Sequence, residues 1–165
     1  MTEYYSGIGS RETPTEIQIL MTSFARHLST LGFILRSGGA PGADSAFELG
    51  ALPGLSEIYL PWQGFNNKKS NMKILPEAIE IAAKYHPAWG RLNSSARQFH
   101  TRNVHQILGA DLRTPSKFVV CWTSDGKASG GTGQAMRIAL DKGIPIYNLY
   151  HRGDIIMLEQ YLQSL

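Results

Sequence analysis

Residues 33 to 52 read FILRSGGAPGADSAFELGAL, and this stretch contains an apolar strand, a glycine-rich turn and an amphipathic helix in direct succession. The strand is predicted over residues 33–36, the turn over 37–41 and the helix over 43–52. Strands that alternate with helices are typical of α/β domains, in which right-handed crossovers produce a mainly parallel sheet covered on both faces. The stretch therefore predicts an α/β fold.

The same alternation continues on both sides of this unit. The remaining strands are predicted over residues 4–8, 57–60, 117–123 and 144–149, and the remaining helices begin near Pro14, Pro76, Ser94, Gln134 and Asp154. Thr13, followed by Pro14 and Glu16, predicts a capping box with Thr13 as the N-cap of the first helix. We expect one Rossmann-like domain over residues 1–165, with a doubly wound sheet of about five strands.

Composition excludes several classes of protein. The chain carries a net charge of +3, and its single cysteine, Cys121, lies in an apolar run and is predicted to be buried. No internal disulfide or cysteine-built zinc site is possible, and we predict no metal site and no cofactor. No apolar run reaches the roughly 18 residues of a membrane span, and no signal peptide is apparent, so we predict a cytoplasmic protein without membrane contacts.

Three turns are rich in glycine and follow predicted strands: residues 7–11 (GIGSR), 37–44 (SGGAPGAD) and 129–134 (SGGTGQ). Strand-to-helix turns of a parallel sheet lie at its carboxyl edge, where helix N-termini favour phosphate groups. The turns therefore predict a site for a phosphate-bearing nucleotide or nucleotide derivative. They match neither the dinucleotide fingerprint nor the Walker loop.

The predicted site combines these turns with residues from the chain's middle. Arg11 and Arg102 are expected as charged partners of the phosphate, and Trp62 or Phe65, from the long polar loop 62–74, as a cover for the base. The predicted ligand-binding residues are Gly9, Ser10, Arg11, Ser37, Gly38, Gly39, Gly42, Asp44, Trp62, Arg102, Asn103, Gly130, Gly131, Thr132, Gly133 and Gln134.

These motifs resemble the SLOG superfamily, which includes the DNA-processing protein A family and the Lonely Guy phosphoribohydrolases. The sequences GSR at residues 9–11 and SGGAPGAD at 37–44 are similar to motifs of the DNA-processing proteins. The sequences FHTRN at 99–103 and SGGTGQAMR at 129–137 are similar to the two Lonely Guy motifs. The resemblance covers most of the chain and implies a Rossmann-type nucleotide-binding fold.

The second Lonely Guy motif is altered at its catalytic position. In that family an arginine and a glutamate cleave the base from a nucleoside 5′-monophosphate, and here Arg137 stands where the glutamate is expected. The carboxylate that stabilises a developing oxocarbenium ion is therefore absent from its usual place. If the chain is a catalyst, Asp44 and Glu48, which share one face of the second helix, could replace it beside Arg102.

Three functions remain open from the sequence. The first is binding of a nucleotide at the carboxyl edge of the sheet. The second is an N-glycosidase acting on nucleoside 5′-monophosphates. The third is single-stranded DNA binding in the manner of the DNA-processing proteins, along Lys68, Lys69, Lys73 and Arg97. A homo-oligomer is compatible with each of these functions.

Overall fold

The computed structural model describes residues 2–165, which form one five-stranded, all-parallel sheet flanked by six helices. The strand order is β3-β2-β1-β4-β5. The strands are β1 (Glu3–Gly7), β2 (Phe33–Ser37), β3 (Ser56–Ile58), β4 (Val119–Cys121) and β5 (Ile146–Asn148). The predicted α/β, Rossmann-like class with a parallel sheet of about five strands is confirmed.

The helices cover the two faces of the sheet in two groups. The six helices are α1 (Thr15–Thr30), α2 (Ala43–Gly50), α3 (Glu77–Lys84), α4 (Ser94–Leu108), α5 (Gly130–Asp141) and α6 (Arg152–Gln163). One core cluster joins α1, α2 and α6 to the sheet through residues such as Phe47 and Val120. The other joins α3, α4 and α5 to the opposite face through Ile107 and Val119. Successive β4 residues thus face opposite layers, as the two-residue period of a strand requires.

The starts of α1 and α5 differ from the prediction for identifiable reasons. The N-cap of α1 is Pro14, and the Thr13 hydroxyl donates to the carbonyl of Ser10 at 2.6 Å, so the predicted capping box is wrong. The hydroxyl is already used to close the turn that follows β1. Helix α5 begins at Gly130, four residues before the predicted start, because the glycines form its first turn rather than a separate loop.

The strand order reverses direction at β1, which lies between β2 and β4. The connection from β1 runs to one side of the sheet and the later strands fill the other side, so a crevice opens between the carboxyl ends of β1 and β4. Ligands of open α/β sheets bind at such a switch point. Among residues 2–165, no helix has the length and apolar character needed to cross a membrane.

Candidate functional site

A cavity of about 610 Å³ occupies this crevice. Its walls come from the loops after β1 and β4, from one side of α4, from the first turn of α5, and from the turn and start of α2. They consist of Ile8, Gly9, Ser10, Arg11, Glu12, Ala40, Asp44, Ala96, Phe99, His100, Arg102, Asn103, Gln106, Thr123, Ser124, Asp125, Ser129, Gly130, Gly131, Thr132 and Ala135.

The N-terminus of α5 opens into the cavity with free backbone donors. The Gly133 amide donates to the Ser129 carbonyl at 2.9 Å, whereas the amides of Gly130, Gly131 and Thr132 have no hydrogen-bond partner among residues 2–165. A Cβ atom built on Gly130 or Gly131 would meet no heavy atom within 4 Å in the described chain, apart from its sequence neighbours. An anion can therefore approach these amides closely, favoured by the helix dipole.

Asp125 fixes the loop that leads into α5. Its Oδ1 accepts from the Ser129 hydroxyl at 2.7 Å and from the Lys127 amide at 3.0 Å, and these bonds lower the pKa of the carboxyl. The Ser129 hydroxyl donates to Asp125 and makes no capping bond with the amides of α5. The bonds to Asp125 thus hold the helix start in place and leave its donors uncapped.

Arg11 provides an exposed positive charge at the cavity wall. Its guanidinium lies 5.3 Å from the ring centre of Phe99 and 5.6 Å from that of Phe65, which are cation–π distances. Phe99 lines the cavity, whereas the two predicted base covers, Trp62 and Phe65, are outside the wall, and Trp62 packs edge-to-face on Phe99 at 5.1 Å. Phe99 is therefore the aromatic ring that a bound base could meet.

Arg102 is buried and braces the glycine turn after β2. Its Nη1 donates to the carbonyl of Gly38 and, at 3.0 Å, to that of Tyr59, while its Nε donates to Asn103 Oδ1 at 2.9 Å. Burial lowers the pKa of Arg102 to about 10, so the group stays charged at neutral pH. Asn103 in turn donates from Nδ2 to the carbonyl of Gly131 at 3.1 Å, which ties α4 to the start of α5.

Asp44 closes the same turn from the start of α2. Its Oδ2 accepts from the Ala40 amide at 3.2 Å, and only 4% of the residue is exposed. Burial raises the pKa of Asp44 to about 6, although the nearby charge of Arg102 and the bond from Ala40 act in the opposite direction. Asp44 therefore has both a structural bond and a place on the cavity wall.

The glycines of the second turn are close to the chain's own side chains and backbone rather than to the cavity. A Cβ at Gly38 would overlap Gln106 and Arg102, and one at Gly42, whose φ is +82°, would overlap the backbone of Arg11. Together with Ser37 and Gly39, these two glycines lie outside the cavity wall. Tight packing thus accounts for this turn without a ligand.

Four further residues that the sequence analysis singled out do not line the cavity. Glu48 forms an ion pair with Lys68 at 3.1 Å, so the structure does not bring it beside the predicted phosphate site. A Cβ on Gly133 would meet the Ala128 backbone at 2.5 Å, and the buried Gln134 donates to the carbonyl of Ala82 at 3.2 Å. Arg137 donates to the carbonyl of Tyr85 at 2.9 Å and does not line the cavity.

The site also contains residues that the sequence reasoning missed. Thr123 ends the fourth predicted strand and Ser124 and Asp125 follow it directly, so the rule that ligands bind beyond the carboxyl ends of strands is sufficient to identify them. The sequence does not indicate that Phe99 and His100 line the cavity, because the orientation of these side chains depends on how α4 packs against α5.

Comparison with known proteins supports the fold. No family model matches the chain, and no curated protein matches it. A solved structure of DNA processing protein A from Helicobacter pylori, described for its single-stranded DNA binding mode, superposes with a TM-score of 0.53 and 16% sequence identity. The alignment covers 87% of this chain and 63% of that chain, so this chain spans less than two thirds of its neighbour's length. The chain is therefore similar in fold to DNA processing protein A.

Proposed function

We propose that the chain binds a phosphate-bearing nucleotide or nucleotide derivative in the cavity between the carboxyl ends of β1 and β4. The observation that carries the proposal is the uncapped first turn of α5, whose glycines leave open space in front of three free amides. A phosphate there would gain hydrogen bonds that no protein atom supplies, together with the favourable field of the helix dipole.

The rest of the cavity suits the remainder of a nucleotide. Its volume of about 610 Å³ lies within the usual range of roughly 300–1,000 Å³ for small-molecule sites. Arg11 supplies an exposed positive charge, and Ser10 and Thr132 also line the cavity. Phe99 offers a ring for stacking, which is tolerant of base identity.

Cleavage of an N-glycosidic bond has weaker support. Arg137 donates to the Tyr85 carbonyl and does not line the cavity, and the expected carboxylate is missing. Asp44 is the remaining candidate of the two acids on α2, and it already accepts a hydrogen bond from Ala40. Binding without efficient turnover is the function that this arrangement favours.

Single-stranded DNA binding is a second candidate, favoured by the fold likeness to DNA processing protein A. Lys69 and Lys73 are exposed and free to meet a backbone phosphate. Lys68, however, pairs with Glu48, and Arg97 donates to the Trp89 carbonyl at 3.1 Å from Nη2, so two of the four proposed contacts are already engaged within the chain.

Calorimetric titration separates the two candidates. Wild-type protein is titrated with adenosine 5′-monophosphate and with a thymidine oligonucleotide at several salt concentrations, beside the variants Gly131→Val and Lys69→Gln. We expect mononucleotide binding with modest salt dependence that Gly131→Val removes and Lys69→Gln leaves unchanged. Oligonucleotide binding alone, with a steep loss of affinity as salt rises and sensitivity to Lys69→Gln, would instead establish the second candidate.

A further inference from the structure

Two buried polar atoms, one on α4 and one on α5, have no hydrogen-bond partner in the described chain. They are His100 Nδ1 and Gln134 Oε1, both enclosed and both without a hydrogen bond within residues 2–165. Buried polar atoms are rarely left unpaired, and each such case needs an explanation. Here the explanation has a consequence for the cavity, because the His100 ring forms part of its wall.

Gln134 is held with its oxygen toward the histidine. Its amide nitrogen donates to the carbonyl of Ala82 at 3.2 Å, which leaves Oε1 available to the neighbouring His100 ring, with which the Gln134 side chain interacts. An amide oxygen only accepts, so the pair is satisfied when His100 carries its proton on Nδ1. The other ring nitrogen, Nε2, then has a free lone pair.

The surroundings keep this ring neutral. Burial lowers the pKa of His100, and the neighbouring His86 ring, 4.5 Å away between centroids, acts in the same direction, as do Arg137 and Arg102. The interaction with Gln134 opposes them. Nε2 itself is neither enclosed nor hydrogen-bonded to any atom of the described chain, and His100 is one of the residues that line the cavity.

We infer that His100 is a ligand-binding residue whose Nε2 accepts a hydrogen bond from a hydroxyl or amino group of the bound nucleotide, and that Gln134 is a positioning residue that fixes the required tautomer. This inference rests on the proposed function. It narrows the ligand to one that presents a phosphate to α5 and a hydrogen-bond donor to α4, which a ribose hydroxyl or an exocyclic base amine supplies.

The tautomer is tested on the free protein by nitrogen-15 NMR of the histidine side chains, assigned with the His100→Phe variant. We expect a protonated Nδ1 and an unprotonated Nε2 at neutral pH, and a loss of this preference in Gln134→Leu. A ring protonated mainly at Nε2 in the wild type would overturn the inference. This measurement needs no ligand, so it is decisive even if the wild type binds no mononucleotide, a result that would refute the proposed function.

The acceptor role is tested by calorimetry with adenosine 5′-monophosphate, its 2′-deoxy and 3′-deoxy analogues, and purine riboside 5′-monophosphate, which lacks the amine. His100→Phe should weaken adenosine monophosphate about tenfold, the effect of one lost hydrogen bond. The same substitution should not change the affinity for the analogue that lacks the hydroxyl or amino group bound by Nε2. The control is His27→Phe, at an exposed position of α1. Equal losses for all four ligands, or none, would overturn the acceptor role.

Discussion

Asp44→Asn tests whether burial of the ionised Asp44 carboxyl, on the cavity wall, destabilises the folded protein. An asparagine oxygen can still accept from the Ala40 amide, so the turn after β2 keeps its bond. The substitution removes only the charge and the titration. Arg102 remains charged, because its pKa of about 10 is well above neutral.

The magnitude follows from the pKa of Asp44, which burial raises from an ordinary value of 3.8 to about 6 in the folded protein. Between these values the folded state binds the proton more tightly than the unfolded state, so stability decreases as pH rises through this window. At about 1.4 kcal/mol per pKa unit the full loss of stability is about 3 kcal/mol, of which about 2.4 kcal/mol falls between pH 4 and pH 7. The asparagine variant lacks this loss, so its free energy of unfolding should increase relative to that of the wild type as pH rises.

The assay is urea unfolding of both proteins at pH 4, 5, 6 and 7, with the difference in unfolding free energy plotted against pH. All other groups titrate in both proteins and cancel in the difference. Asp111→Asn is the control, because hydrogen bonds from Arg113 and Thr114 lower the pKa of Asp111, so its difference should have the opposite sign. A wild-type minus Asp44→Asn difference that stays constant with pH would refute the reasoning.

Four further outcomes are expected. Gly131→Val should fold with a change of less than about 1 kcal/mol, because its Cβ meets open space, yet lose mononucleotide binding at least tenfold by calorimetry. Arg11→Gln should weaken the same binding by about tenfold or more, whereas Arg113→Gln, at an exposed position outside the cavity wall, should not. Arg102→Lys should cost about 2 kcal/mol or more of stability in urea unfolding, since lysine cannot bond both carbonyls and the neighbouring amide. Release of base from adenosine monophosphate, followed by chromatography, should stay well below about one turnover per second, because Arg137 replaces the expected glutamate; faster release would contradict this.

The order of elements could be predicted from local patterns alone. Every helix and strand is placed within a few residues by three local patterns: apolar stripes at helical spacing, short apolar runs and glycine turns. The two apolar patterns are informative because they show which residues of an element are buried. Local patterns predict the ends of helices and strands less well. Thr13 has the residue type of an N-cap, but its hydroxyl bonds Ser10 instead, and this choice depends on the path of the turn after β1.

The candidate site could be predicted only in part, because glycine has two different uses that look alike in a sequence. At Gly38 and Gly42 the missing side chain makes room for Gln106, Arg102 and the Arg11 backbone, whereas at Gly131 it leaves empty space before free amides. The distinction depends on residues more than 60 positions away in the case of Gly38. No local pattern contains that information.

The motif FHTRN of α4 shows why a resemblance in sequence need not transfer a reaction. His100 faces α5 and the cavity, while Arg102 on the same helix is directed at the carbonyls of Gly38 and Tyr59. Asn103 connects the two sides by accepting from Arg102 and donating to Gly131. The motif can therefore hold the turn after β2 against the first turn of α5 without a catalytic carboxylate. An arginine that supports the geometry of the cavity explains the motif as fully as one that takes part in catalysis, and this role is compatible with the proposed binding without turnover.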